Sequence, residues 1–120
     1  GADHWGGFST ERREIADFIA ENEIHGLLML AGDAHMLAID DGSHSDYSTH
    51  GGGGFPVFHA AALDQHGSVK GGPYSEGAYP GSGQFGLVTV QDTGARVTVT
   101  LSGRDYTGAE VVSYTFSVGE

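Results

Sequence analysis

Asp33 and His35 place a carboxylate and an imidazole two residues apart. A carboxylate oxygen and a neutral imidazole nitrogen are standard ligands for a metal ion. The pair follows an unbroken apolar run, Leu27-Leu28-Met29-Leu30, and a small-residue break at Ala31-Gly32. A short apolar run ending at a glycine reads as a strand buried on both faces. In α/β sheets, sites collect just past the carboxyl ends of such strands. Gly32 permits a tight turn and a close backbone approach, and Asp33 and His35 can then reach one ion. The competing reading of the same residues is a turn followed by a surface histidine.

Other groupings bear on chemistry. His44, His50, His59 and His66 could form a metal cluster, but spacings of six, nine and seven match no helical or strand face. Asp40 and Asp41 with Asp46 could hold calcium through oxygen, against the simpler reading of a solvated acidic turn. His50-Gly51-Gly52-Gly53 is similar to a lipase oxyanion loop, yet the G-x-S-x-G elbow that chemistry needs is missing. Glycine runs also cradle phosphate through backbone N–H groups, and no Walker lysine follows this one. A flexible loop is therefore the expectation here. Tyr74 and Tyr79 either line a pocket or pin their loop.

The elements that position these residues can be read from pattern. Asp3 to Phe8 reads as a loop with aromatic anchors, and Trp5 either belongs to a site or covers the core edge. Ser9 or Thr10 offers an N-cap, with Glu11 and Glu14 in the first turn. Ile15, Phe18 and Ile19 recur at i, i+3, i+4, which predicts a buried helix face, with Arg12, Arg13 and Asp17 outside. The helix is expected over Thr10 to Asn22. Met36 to Asp40 is a strand or a first helical turn, His44 to Gly54 a long loop, and Phe55 to Ala62 a buried strand or extended segment. Gln65 to Gly83 is a second long loop. Phe85 to Val90, Arg96 to Leu101 and Val111 to Val118 are strands. The alternation of Val97, Val99 and Leu101 with Thr98 and Thr100 is that of a half-buried strand. Turns at Asp92 to Ala95 and Asp105 to Gly108 make the tail an antiparallel meander.

Composition sets limits. The 120 residues suit one domain, 1–120. Sixteen acidic against five basic residues give a formal charge of −11, which repels nucleic acid and anionic membranes and suits cation binding or solubility in salt. A single lysine, Lys70, fits a high-salt or extracellular source. With no cysteine, disulfides and thiolate metal sites are ruled out. No apolar run approaches the ~20 residues of a membrane span, and no signal peptide is visible. Twenty-one glycines point to long, site-building loops.

At Asp3-x-Trp5-x-Gly7-Phe8, the helix with Arg12 and Arg13, the apolar strand and Gly32-Asp33-x-His35, the chain resembles the carboxy-terminal part of PhoD-like alkaline phosphatases. These are metal-dependent phosphoesterases of the calcineurin-like group. Phe85-Gly86-Leu87-Val88 and the meander fit the end of that family's pattern. The resemblance implies Asp33 and His35 as metal ligands, and Asp3 and Trp5 as neighbours of the site. It implies divalent or trivalent ions, iron and calcium, and a secreted or periplasmic location. It also implies that the chain is a portion of a larger catalytic domain. The fold expected is α/β (α+β): part of a metallophosphoesterase β-sandwich with one helix, a buried strand pair and a carboxy-terminal meander. The function implied is hydrolysis of phosphate mono- or diesters, with the chain alone inactive. Its expected partners are the ester substrate and either the missing amino-terminal half or a second copy. The rival is a non-catalytic β-rich binding module with partner-contacting loops.

Overall fold

The computed structural model describes residues 4–119. A 3-10 turn, Trp5–Phe8, runs directly into helix α1, Ser9–Glu21. Seven strands follow: β1 Met29–Ala31, β2 Met36–Asp40, β3 Val57–Ala60, β4 Ala78–Pro80, β5 Phe85–Asp92, β6 Arg96–Arg104 and β7 Glu110–Gly119. The first four make a mixed sheet in the order β1-β3-β2-β4, with β1 parallel to β3 and the other pairs antiparallel. The last three make the expected antiparallel meander, β5-β6-β7. The architecture is thus an α+β fold of one helix and two sheets.

The sheets pack through alternate residues of each strand. Leu37 and Ile39 of β2 and Phe58 of β3 meet Val99, Leu101 and Val112 of the meander, forming one buried core. Gly86 of β5 makes this approach possible. A Cβ there would lie 2.7 Å from Phe58 Cζ and 2.8 Å from Ala60 Cβ, closer than carbon atoms pack. The opposite face of the mixed sheet carries Met29, Ala31, Met36, Ala38, Asp40, Val57 and His59, by the same alternation and the observed register. A cleft opens on that face.

Several local expectations change. The strand buried on both faces is β2, every residue of which is buried, and not the run at Leu27–Leu30. That run supplies only the start of β1, a three-residue edge strand on which Leu30 is 61% exposed. The reason is topological: β1 has a neighbour on one side only, and no element covers its Leu30 face. The α1 N-cap is Phe8, without a side-chain cap, because the 3-10 turn leads straight into the helix. Instead His4 Nδ1 accepts from Gly6 N at 3.1 Å and closes the 3-10 turn.

The helix buries Ala16 and Ile19, while Ile15 and Phe18 stay exposed, Phe18 at 60%. The helix packs on a loop rather than on a sheet, and the loop comes in close to small residues. A Cβ on Gly53 would sit 2.6 Å from the Ala16 carbonyl oxygen. Asp17 does not simply face solvent: it accepts from Thr49 N at 2.7 Å and Thr49 Oγ1 at 2.8 Å. These hydrogen bonds, led by the backbone one, hold its carboxyl below the usual carboxylate range. Asp46 accepts from Ser48, Gly52 and Gly53. Within the run His50–Gly54, Gly53 is buried against α1, while its neighbours in the run stay exposed.

Candidate functional site

The cleft on the free face of the mixed sheet has a volume of about 790 Å³. Val57 and His59 of β3, Met29 and Ala31 of β1 and Asp40 of β2 form its floor. Three segments wall it. The amino-terminal turn and helix bring His4, Trp5 and Arg12, the loop after β2 brings His44, Tyr47 and Phe55, and the 70–74 loop brings Lys70 and Tyr74. The turn Gly32-Asp33-Ala34 lies at the rim.

Asp33 sits at that rim with a side chain 95% exposed, and Lys70 Nζ approaches its Oδ2 at 3.6 Å. An ion pair this exposed contributes little stability. His35 is half-buried and is not among the residues lining the cleft. Its Nδ1 lies 2.8 Å from the carbonyl oxygen of His66. A carbonyl only accepts, so Nδ1 is the donor, and in the neutral ring Nε2 carries the lone pair. A ligating histidine is oriented in this way by a second partner. Ser68 strengthens the clamp: its N donates to His35 O and its Oγ to Ala34 O.

Gly32 does not supply the tight turn expected of it. Its φ is not positive, and a Cβ there would meet nothing within 4 Å. Asp33 and His35 take the left-handed conformation themselves, at φ +67° and +56°. Only one other described non-glycine residue, Glu23, does so. Left-handed backbone costs an L-residue about 1–2 kcal/mol, least for Asp. Such strain persists where the surroundings over-determine it, and it gathers at functional turns.

Trp5 lines the cleft, in edge contact with Tyr47 at 5.7 Å between centroids and tilted over Phe55 at 6.4 Å. Asp3 lies outside the described residues. No group of three or more histidine or carboxylate ligands comes together among the described residues. Of the four loop histidines, His44 and His59 line the cleft and His50 and His66 do not. Tyr74 lines it too, and its hydroxyl donates to the Lys70 carbonyl at 2.6 Å, so it both walls the cleft and pins the loop.

Asp40 is not a free calcium ligand. It is 2% exposed. It accepts from the backbone N–H groups of Gly42 (3.0 Å), His44 (2.9 Å) and Ser75 (2.8 Å), and its Oδ1 lies 2.7 Å from His44 Nδ1. Burial pushes its pKa up, and these hydrogen bonds more than reverse that, leaving the carboxyl below its ordinary range. Its role is to fix the His44 ring.

Two cleft residues escaped the sequence reading. Arg12, expected outside the helix, turns inward and lies 3.9 Å over the Tyr47 ring. His59, weighed only as one of four histidines of a metal cluster, stands on the floor strand with its ring edge-on to Tyr74 at 5.5 Å. Burial lowers its pKa, and its Nδ1 is buried without a partner. Its place between Phe58 and Ala60 in an apolar strand was the available signal.

A family model described as PhoD-like phosphatase matches residues 1–101. No curated protein and no solved structure matches the chain.

Proposed function

The chain belongs to the PhoD-like phosphatase family, and from that premise we propose that its cleft is one wall of a metal-assisted phosphoester-hydrolysing site, with Asp33 and His35 as metal ligands. Phosphatases of this family are metal-dependent as a group. The observation that carries the ligand assignment is the His35–His66 hydrogen bond. It favours the tautomer in which Nε2 holds the lone pair a metal would take, on a residue that shares the positive φ of Asp33 two positions before it.

The donor set fits a hard or borderline cation: carboxylate oxygen for calcium, imidazole nitrogen for iron. When bound, such an ion polarises a phosphoryl oxygen and lowers the pKa of a coordinated water. Two donors leave most of a coordination sphere open, so the remaining ligands come from outside the described residues. They belong to the rest of a larger catalytic domain or to a partner chain.

The residues of this chain do the rest of the work proposed here. Lys70, beside Asp33 and on a flexible stem, can turn from that carboxylate to a phosphoryl oxygen. Trp5, Tyr47 and Phe55 exclude water from one wall, which strengthens the charge interactions inside. His44, oriented by Asp40, can exchange a proton at Nε2 with a substrate or leaving-group oxygen. The substrate class is a phosphate mono- or diester, and the site of action a secreted or periplasmic compartment.

The test is hydrolysis of p-nitrophenyl phosphate and bis-p-nitrophenyl phosphate. The 120-residue chain alone should be inactive, because its ligand set is incomplete. A longer protein that contains it should be active and lose activity with chelator, with Asp33→Ala or with His35→Ala. Turnover by the 120-residue chain that resists chelator would refute both the ligand assignment and the shared site.

A further inference from the structure

We propose that Arg12 is the phosphate anchor of the cleft, a guanidinium seated over the Tyr47 ring with Trp5 beside it, whose N–H groups grip the oxygens of the substrate phosphate. This rests on reading the cleft as a phosphoester site and names the residue that holds the anion.

Three observations meet at Arg12. It is half-buried on the inner side of α1, whereas its neighbour Arg13 is exposed. Its Cζ stands 3.9 Å from the Tyr47 ring centroid and 6.0 Å from that of Trp5. A guanidinium stacked on an aromatic face gains cation–π energy while its in-plane donors stay open. Among the described residues Arg12 has neither a carboxylate partner nor a hydrogen-bond acceptor. In a chain with sixteen acidic residues, a partly buried arginine with no counter-ion among the described residues is suited to hold an anion.

The charge around it agrees. The described residues lining the cleft include two cations, Arg12 and Lys70, and two carboxylates, Asp33 and Asp40. Asp40 is already saturated by hydrogen bonds. The cleft is therefore near balance while the whole chain carries −11, so an anion meets less repulsion there than elsewhere on the surface. The contact with Tyr47 restricts the side chain before binding, so two N–H bonds to one phosphate need less ordering.

Trp5 is the only tryptophan and lies beside Arg12, which makes its fluorescence a local reporter. The experiment titrates inorganic phosphate, in the presence of chelator, into the full 120-residue chain. Wild type should show a saturable change at up to ~10 mM phosphate. Arg12→Gln should weaken the affinity about tenfold or more, and Arg12→Lys nearly as much, because a lysine loses both the fork and the stack. Arg13→Gln should stay within about twofold. Circular dichroism and melting curves check that each variant is folded, and phosphorus NMR line broadening repeats the comparison without relying on Trp5. No saturable binding by folded wild type, or equal binding by wild type and Arg12→Gln, overturns the proposal. Binding that requires an added metal ion and ignores Arg12 overturns it while leaving the metal reading intact. Chelator-resistant binding lost in Arg12→Gln but kept in Asp33→Ala supports it whether or not the metal reading stands.

Discussion

His44 Nδ1 lies 2.7 Å from the buried carboxylate of Asp40, at the end of the one strand whose residues are all buried. The same carboxylate ties down the Gly42–His44 turn and the backbone of Ser75, so it joins both loops that wall the cleft. Asp40→Asn puts an amide N–H₂ against donors. Its expected cost is about 3 kcal/mol, read from urea unfolding. The sign of the pH dependence follows from the lowered folded-state pKa. The stabilisation is present above the unfolded carboxylate value near ~3.9 and is lost as pH falls through the folded value. Wild type should therefore show an acid-induced loss of stability that Asp40→Asn lacks.

His59 gives a second pH dependence in a different window. Burial lowers its pKa, so the folded state holds the ring neutral while the unfolded chain takes up a proton first. Stability from this group is complete above about pH 6.5 and declines as pH falls from there through the folded value. His59→Phe replaces the ring with an apolar one of similar shape and should flatten the melting temperature against pH between about 6.5 and 5. An unchanged slope would mean that another group carries it.

Glycine substitutions separate packing from turn geometry. Gly53→Ala forces a methyl group against the Ala16 carbonyl, so α1 must shift. We expect a loss of about 1–3 kcal/mol. Gly32→Ala, at the turn that bears Asp33, meets open space without a positive φ, and its effect should lie within about 0.5 kcal/mol. Thermal unfolding of the two variants side by side makes the comparison, and equal losses would contradict it.

The parts of this fold that were legible in the sequence are those set by local pattern. The helix, the three meander strands and both of their turns follow from periodicity and turn chemistry, and they lie within a few residues of their expected bounds. What escaped depends on partners far along the chain. Leu27–Leu30 has the composition of a central strand, yet β1 ends up at an edge because β3 is its only neighbour. Ala78–Pro80 joins a sheet from within a segment read as loop, since pairing with β2 supplies what its sequence does not announce. Arg12 reads as one of two solvent-facing arginines until Tyr47, thirty-five positions later, comes in beneath it. The proposal of Asp33 and His35 as ligands comes from residue type, spacing and resemblance. The clamp that sets the His35 tautomer comes from the carbonyl of His66, thirty-one residues away.

The central claim is that Asp33 and His35 bind one metal ion together. Calorimetric titration of calcium and of ferrous iron into the 120-residue chain tests it most directly, with Asp33→Ala, His35→Ala and the double variant beside wild type. The account predicts measurable heat for wild type, loss in either single variant, and no further loss in the double, because two ligands of one ion are not additive. Equal binding by all four proteins, or none by folded wild type, would contradict it and leave a β-rich binding module as the better description.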